Sequence, residues 1–266
     1  MPSGARPAWF RRIHAPELMD MAWWPGEWRR METDFLRTFN GITRSCTPLV
    51  ERVTALMRTT GHRRIIDLCS GGGGLVLPLR SLVASALGEP VELVLTDLYP
   101  NPGVLDHLPD RAGVTYRAEP VDARAVPGDL VGVRTICLGL HHLRPAEAAG
   151  VLADAARARQ PIVVFEGTAR SIPLALSMAL LPPVVAAFAP LSRPHTWPKL
   201  LWHTALPVVP LAVAWDGFCS CLRSHEPDEL RAMVAPLECA GYHFEVGRER
   251  WLGVPITWLV GTPRDL

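Results

Sequence analysis

The stretch RRIIDLCSGGGGLVLPLR, Arg63 to Arg80, decides how the rest of the chain is read. A short apolar run, Ile65-Ile66, leads to an acid, Asp67. Four glycines follow, Gly71 to Gly74, and Leu75-Val76-Leu77 then opens an apolar segment suited to a first helical turn. Strand, glycine turn and helix, in that order, begin the ligand site of a doubly wound α/β domain. Glycine suits the turn because the backbone bends tightly there and lies close to whatever it holds. A dinucleotide fingerprint spaces its glycines as G-x-G-x-x-G, with a pyrophosphate over the helix N-terminus. Here an acid ends the strand and the later glycines fall at Gly71 and Gly73, a different pattern.

Downstream, the pattern continues. Val91 to Leu95, VELVL, has the apolar character of a buried parallel strand and runs into Asp97. An acid at the end of the second strand is where α/β nucleotide sites hold ribose hydroxyls, so Asp97 is expected there, with Tyr99 and Asn101 beside it. A further acid, Asp122, lies in EPVDARAVP, flanked by Val121 and Ala123. The fourth strand is expected at Val133 to Leu138, followed by GLHHLRP. Loops at the carboxyl ends of parallel strands build the ligand crevice, which places His141 and His142 as candidates for general base or substrate orientation. An alanine-rich helix over Pro145 to Arg159 leads to strand five, Pro161 to Phe165. Glu166 follows it, with two readings open: facing the site or pairing with Arg170.

Before this core, residues 1–62 read as two or three helices forming an N-terminal lid. Trp23, Trp24 and Trp28 surround Pro25-Gly26, and Val50, Val53, Leu56 and Met57 share one helical face. The tryptophans serve either as packing anchors or as an aromatic cover whose faces attract a cation. After strand five, an insertion over about 171–215 carries no charge from Ser171 to Ser192 and again none from Leu200 to Trp215. Pro173, Pro182-Pro183 and Pro190 break it into short helices, against one continuous membrane span. As a cap it has several uses open to it: core packing, closing a dry pocket, holding a lipophilic substrate, meeting a second subunit in a homodimer, or resting on a membrane surface. DGFCSCLR, Asp216 to Arg223, reads as an extended segment with Cys219 and Cys221 on one face. A helix over Pro227 to Ala240 and two closing strands, Tyr242 to Val246 and Ile256 to Val260, complete the chain.

Composition narrows the classes. The net charge of +1 leaves no nucleic-acid footprint, and hydrophobic residues at 48% supply a sizeable core. Six cysteines, including Cys239, form no CxxC and no zinc-finger spacing, so no metal is expected and the thiols read as reduced, in a cytoplasmic protein. Arg11 and Arg12 are not followed by the apolar core of a signal peptide.

The segment IDLCSGGGG resembles motif I of the class I S-adenosylmethionine (SAM) dependent methyltransferases, D-x-G-x-G-x-G, with Cys69 in place of the first glycine. With WWPGEWR, TDLYPN, EPVDA, LHHL and WDGFCSCLR it resembles a bacterial group of that superfamily whose activity is largely unassigned. The resemblance implies an α/β fold: a doubly wound, mostly parallel seven-stranded sheet closed by an antiparallel hairpin, over residues 63–266. It implies SAM held by Asp67, Cys69, Gly71, Gly73, Asp97, Tyr99 and Asp122, with Trp24 covering it. It implies methyl transfer to a small, hydrophobic molecule of secondary metabolism, with His141, His142 and Glu166 as catalytic candidates. Two alternatives remain. One is a cyclase on the same fold that converts SAM to azetidine-2-carboxylate and methylthioadenosine, and the other is a protein that binds SAM without turnover.

Overall fold

The computed structural model describes residues 11–107, 112–193, 195–238 and 241–264. Cys239 and Ala240, on which the sequence reading also touched, lie outside them. Seven strands, β1 (Arg64–Asp67), β2 (Glu92–Leu95), β3 (Val114–Tyr116), β4 (Val133–Cys137), β5 (Ile162–Glu166), β6 (Tyr242–Trp251) and β7 (Val254–Pro263), form one sheet. Their order is β3-β2-β1-β4-β5-β7-β6. The first five are parallel, while β7 runs antiparallel to both β5 and β6. This is the doubly wound sheet with a terminal hairpin that the sequence led us to expect. The strand order reverses between β1 and β4, so the crevice for a ligand opens above their carboxyl ends.

The helices follow from their sequences. α2 (Thr47–Thr60) and α3 (Val76–Leu87) end at Gly61 and Gly88, both in the left-handed conformation that closes a helix. α2 and α3 bury Leu49, Val53, Met57, Leu79 and Val83 on one face of the sheet. α4 (Pro145–Arg157) and α9 (Pro227–Val234) cover the other with Val151, Leu152 and Leu230. The hairpin strands are twice as long as the apolar runs suggested. Their outer halves carry Arg248, Glu249 and Arg250 in β6 and Thr257 in β7, and Leu252-Gly253, both at positive φ, make the tight turn.

α1 (Gly26–Thr43) leads from the N-terminal segment onto the glycine loop. A methyl group on Gly72 would stand 1.9 Å from the Thr33 methyl, and one on Gly74 would stand 3.3 Å from the Arg37 backbone. The helix therefore lies directly on the loop. Its other side, Met31 and Phe35, packs with Val185, Val209 and Val213 of the insertion. The insertion folds as α5 (Ile172–Ser177), α6 (Leu181–Phe188), α7 (Trp197–Leu200) and the start of α8 (Val208–Arg223). No single helix among the described residues is long and apolar enough to cross a membrane.

DGFCSCLR is the second half of α8, not an extended segment. The error has a physical source. Asp216, Ser220 and Arg223 recur at helical spacing, and all three bond to the preceding N-terminal strap. Asp216 accepts the N–H groups of Leu18 at 2.6 Å and Met19 at 3.1 Å. Cys219 and Cys221 consequently point in different directions, and the five described cysteines are free thiols.

Trp24 is 7% exposed and donates its indole N–H to Glu32 at 2.7 Å. Burial, reinforced by Asp216, pushes the Glu32 carboxyl up to about 8, from an ordinary value of 4.5. The native state thus holds a proton that the unfolded chain releases, and stability falls as pH rises through this window. Glu32→Gln is expected to raise Tm more at the alkaline end of the window than at the acid end. Equal shifts at both ends would remove this carboxyl from the pH dependence.

Candidate active site

The glycine loop supplies a cradle at the top of β1 and β2. Gly73 sits at φ +66 and Gly71 at φ +49, and the Gly73 N–H closes the turn on the Ser70 carbonyl at 2.7 Å. The Gly71 N–H donates to Asp97 at 2.9 Å, and the other oxygen of that carboxylate accepts the Tyr99 N–H at 2.9 Å. Asp97 therefore ties the two loops together and keeps lone pairs for further donors, since a carboxylate accepts about four hydrogen bonds. Tyr116 donates its hydroxyl to the Gly71 carbonyl at 3.3 Å. Gly72 and Gly74 face α1, whereas Gly71 looks onto open space beside Asp97.

Cys69, where the resembled motif has a glycine, holds φ +56. The backbone keeps the left-handed conformation and tolerates a side chain, because a cysteine is small and unbranched at Cβ. Burial drives its thiol up to about 12, so it remains protonated. Asp67, the last residue of β1, is buried, accepts the Thr135 hydroxyl at 2.6 Å, and burial raises its carboxyl to about 7. The bond to Thr135 ties β1 to β4.

Asp122 forms a two-pronged pair with Arg124 at 2.7 to 3.1 Å, which lowers its carboxyl below the usual range. Val121 and Ala123 pack in the core. Tyr99 is 82% exposed. Trp24 points into the lid, between Trp23 and Trp28, while Trp23 is 69% exposed.

His141, His142 and Glu166 are brought together. The turn Leu140–His142 starts beside the glycine loop: a Cβ on Gly139 would stand 3.2 Å from the Cys69 Cβ. Glu166, the last residue of β5, accepts the His141 backbone N–H at 3.1 Å and holds its Nδ1 at 2.6 Å. It does not pair with Arg170, which pairs with Glu229 at 2.7 Å. Burial alone would raise the Glu166 carboxyl, but the His141 contacts outweigh it and hold it low.

Residues unforeseen in the sequence complete the site. Glu17 lies 3.7 Å from His141 Nε2 and 3.5 Å from His142 Nε2, and accepts the Ser220 hydroxyl at 2.8 Å. Asp20 meets His142 Nδ1 at 2.9 Å and Arg223 at 2.8 Å. Arg12 clamps the strap by donating to the carbonyls of His141, Leu143 and Arg223 at 2.5 to 2.9 Å. The spacing of Asp216, Ser220 and Arg223 was the available clue; nothing local marked Glu17 or Asp20. Cys69→Gly is expected to leave Tm within a few degrees of the wild type. Cys69→Val puts a β-branched residue in the left-handed region and should cost about 1–2 kcal/mol in denaturant unfolding. Equal losses would show that the thiol's contacts, not the backbone, set the cost.

No family model matches the chain, and no curated protein matches it. Solved structures do. An O-methyltransferase family protein from Burkholderia thailandensis is 18% identical, with TM-score 0.44, over 83% of this chain and 57% of that one. An O-methyltransferase from neocarzinostatin biosynthesis, solved with SAM and a naphthoic acid, is 14% identical, with TM-score 0.43, over 79% and 50%. The magnesium protoporphyrin IX methyltransferase of Synechocystis, solved with S-adenosylhomocysteine, is 14% identical, with TM-score 0.42, over 83% of each chain. The present chain thus spans little more than half the length of the first two. On its own strand order, glycine loop and closing antiparallel hairpin, the chain has a class I methyltransferase-like α/β fold.

Proposed function

We propose that the chain is a SAM-dependent methyltransferase acting on a small, largely apolar acceptor. The observation that carries this reading is the Asp97 bridge. One carboxylate fixes the glycine loop through the Gly71 N–H and keeps lone pairs beside open space at Gly71. That arrangement suits a vicinal diol next to a close backbone. The residues fit SAM on these grounds: Asp97 for its ribose hydroxyls, and Gly71 and Gly73 along its methionine part. When bound, SAM supplies an electrophilic methyl group on a sulfonium.

The protein's own part lies with the histidine turn. Glu166 holds His141 Nδ1, which leaves Nε2 as the acceptor nitrogen. An acceptor hydroxyl would pass its proton to Nε2 as its oxygen takes the methyl group, and Glu166 would stabilise the imidazolium formed. The lid and the insertion pack together into one apolar unit above the glycine loop, which would favour an apolar acceptor and exclude water. The acid pair of Glu17 and Asp20 and the buried Arg223 lend the acceptor side its polar groups.

The first test incubates the protein with SAM, alone and with a panel of hydroxylated aromatic acceptors, and follows the products by mass spectrometry. S-adenosylhomocysteine that requires an acceptor supports the reading. Methylthioadenosine formed from SAM alone would replace it with cyclisation, and tight binding with no product would replace it with a non-catalytic role. Asp97→Ala is expected to weaken SAM binding by about tenfold to a hundredfold, from the loss of charge-assisted hydrogen bonds; unchanged affinity removes the ribose assignment. His141→Ala should cut kcat by about 10²–10⁴ while leaving the SAM Kd within threefold.

A further inference from the structure

We propose that Glu17, His141 and His142 form a binding site for one divalent transition-metal ion of the zinc or ferrous class. One ligand atom from each residue lies within 4.8 Å of the other two. The two imidazoles face each other at 4.4 Å between centroids and 36° between planes. Their Nε2 atoms stand 3.7 Å and 3.5 Å from the Glu17 carboxylate. Those separations are long for hydrogen bonds. They suit two ligands of one ion, since donors about 2.1 Å from a tetrahedral centre stand about 3.4 Å apart.

The outer contacts point the same way. His141 Nδ1 is held by Glu166 at 2.6 Å and His142 Nδ1 by Asp20 at 2.9 Å. A carboxylate on the far nitrogen fixes the ring and its tautomer, so that Nε2 carries a lone pair toward the centre. Two such lone pairs then converge on the Glu17 carboxyl group. Ser220 and Arg223 engage Glu17 Oε1, at 2.8 Å and 3.5 Å, and the other oxygen, Oε2, is the one that faces His142. Two imidazoles and one carboxylate suit zinc or ferrous iron and not calcium or magnesium, which prefer oxygen.

Three protein ligands leave a coordination position for water or an acceptor oxygen. In the metal-loaded protein both Nε2 atoms would be ligands, and the ion, in place of proton transfer to His141, would lower the pKa of a bound acceptor hydroxyl. Only this last role rests on the methyl-transfer reading; binding of the ion does not.

The test uses the full chain, stripped with a chelator and dialysed. Zn²⁺ is titrated against a chromophoric competitor, and Co²⁺ is followed by its visible absorption. We expect one equivalent of Zn²⁺ and a Co²⁺ spectrum with nitrogen and oxygen ligation. Glu17→Gln and His142→Ala should each weaken Zn²⁺ binding at least about a hundredfold, and Asp20→Asn about tenfold to a hundredfold. SAM affinity, measured on the same samples, should stay within threefold of the wild type. No stoichiometric Zn²⁺ binding, or binding unchanged in both ligand variants, overturns the proposal. If Glu17→Gln fails to fold, His142→Ala decides, since that side chain is partly exposed. Loss of SAM binding in the wild type with Zn²⁺ binding intact would sink the methyltransferase reading and leave the metal site standing.

Discussion

The architecture above the sheet depends on how closely α1 approaches the glycine loop. Thr33 and Arg37 reach that loop only because Gly72 and Gly74 carry no side chains. The glycines thus do two jobs on opposite faces. Gly71 leaves the backbone open toward the crevice, and its neighbours let a helix close down from the other side. Once α1 is seated there, its apolar face is committed to the insertion. Met31 and Phe35 cannot be buried unless Val185, Val209 and Val213 come to them. Lid and cap are therefore one packing unit, and the loop that shapes the ligand cradle also positions its roof.

The second organising feature is electrostatic. Glu17, Asp20 and Glu166 are gathered with two histidines around Arg12 and Arg223. Burying so many ionisable groups is unfavourable unless each finds a partner. Besides Glu166 at the end of β5, the partners come from three further parts of the chain. The strap contributes Glu17 and Asp20, the turn after β4 contributes the histidines, and α8 contributes Ser220 and Arg223. Asp216 fixes the path of the strap by accepting two consecutive backbone N–H groups, which leaves Glu17 and Asp20 on the histidine side. Such a network holds little value as a source of stability, yet it sets the tautomers and the orientation of both imidazoles.

The sheet was legible in the sequence because parallel strands buried on both faces announce themselves as unbroken apolar runs, as Ile65-Ile66 and Ile162 to Phe165 do. The glycine loop and Asp97 were legible because their chemistry is local: a tight turn and an acid at a strand end. The histidine cluster was half legible. Its histidines stand at a predictable strand end, but Glu17 and Asp20 come from an irregular strap with no periodicity, and their partners are more than a hundred residues away. DGFCSCLR was misread because Cys-Ser-Cys alternates like a strand, although the polar positions around it repeat like a helix. The positions of Asp67, at the end of β1, and Asp122, in a loop, were legible, but their partners Thr135 and Arg124 were not.

The long reach of the strap has a consequence for how the protein comes into being. Arg12 bonds to carbonyls at positions 141, 143 and 223, and Ile13 donates to the Leu222 carbonyl. Contacts between positions so distant in sequence close late in folding, because the entropy of joining the ends must be met before any contact rewards it. The glycine-loop cradle, by contrast, uses residues from Ser70 to Tyr116 and closes within one short span of chain. A growing chain therefore closes the glycine-loop cradle well before it brings Glu17 and Asp20 to the histidine turn. The strap works as a late seal, binding the first described residues to the last helix of the insertion, so the histidine cluster is assembled only once both are in place.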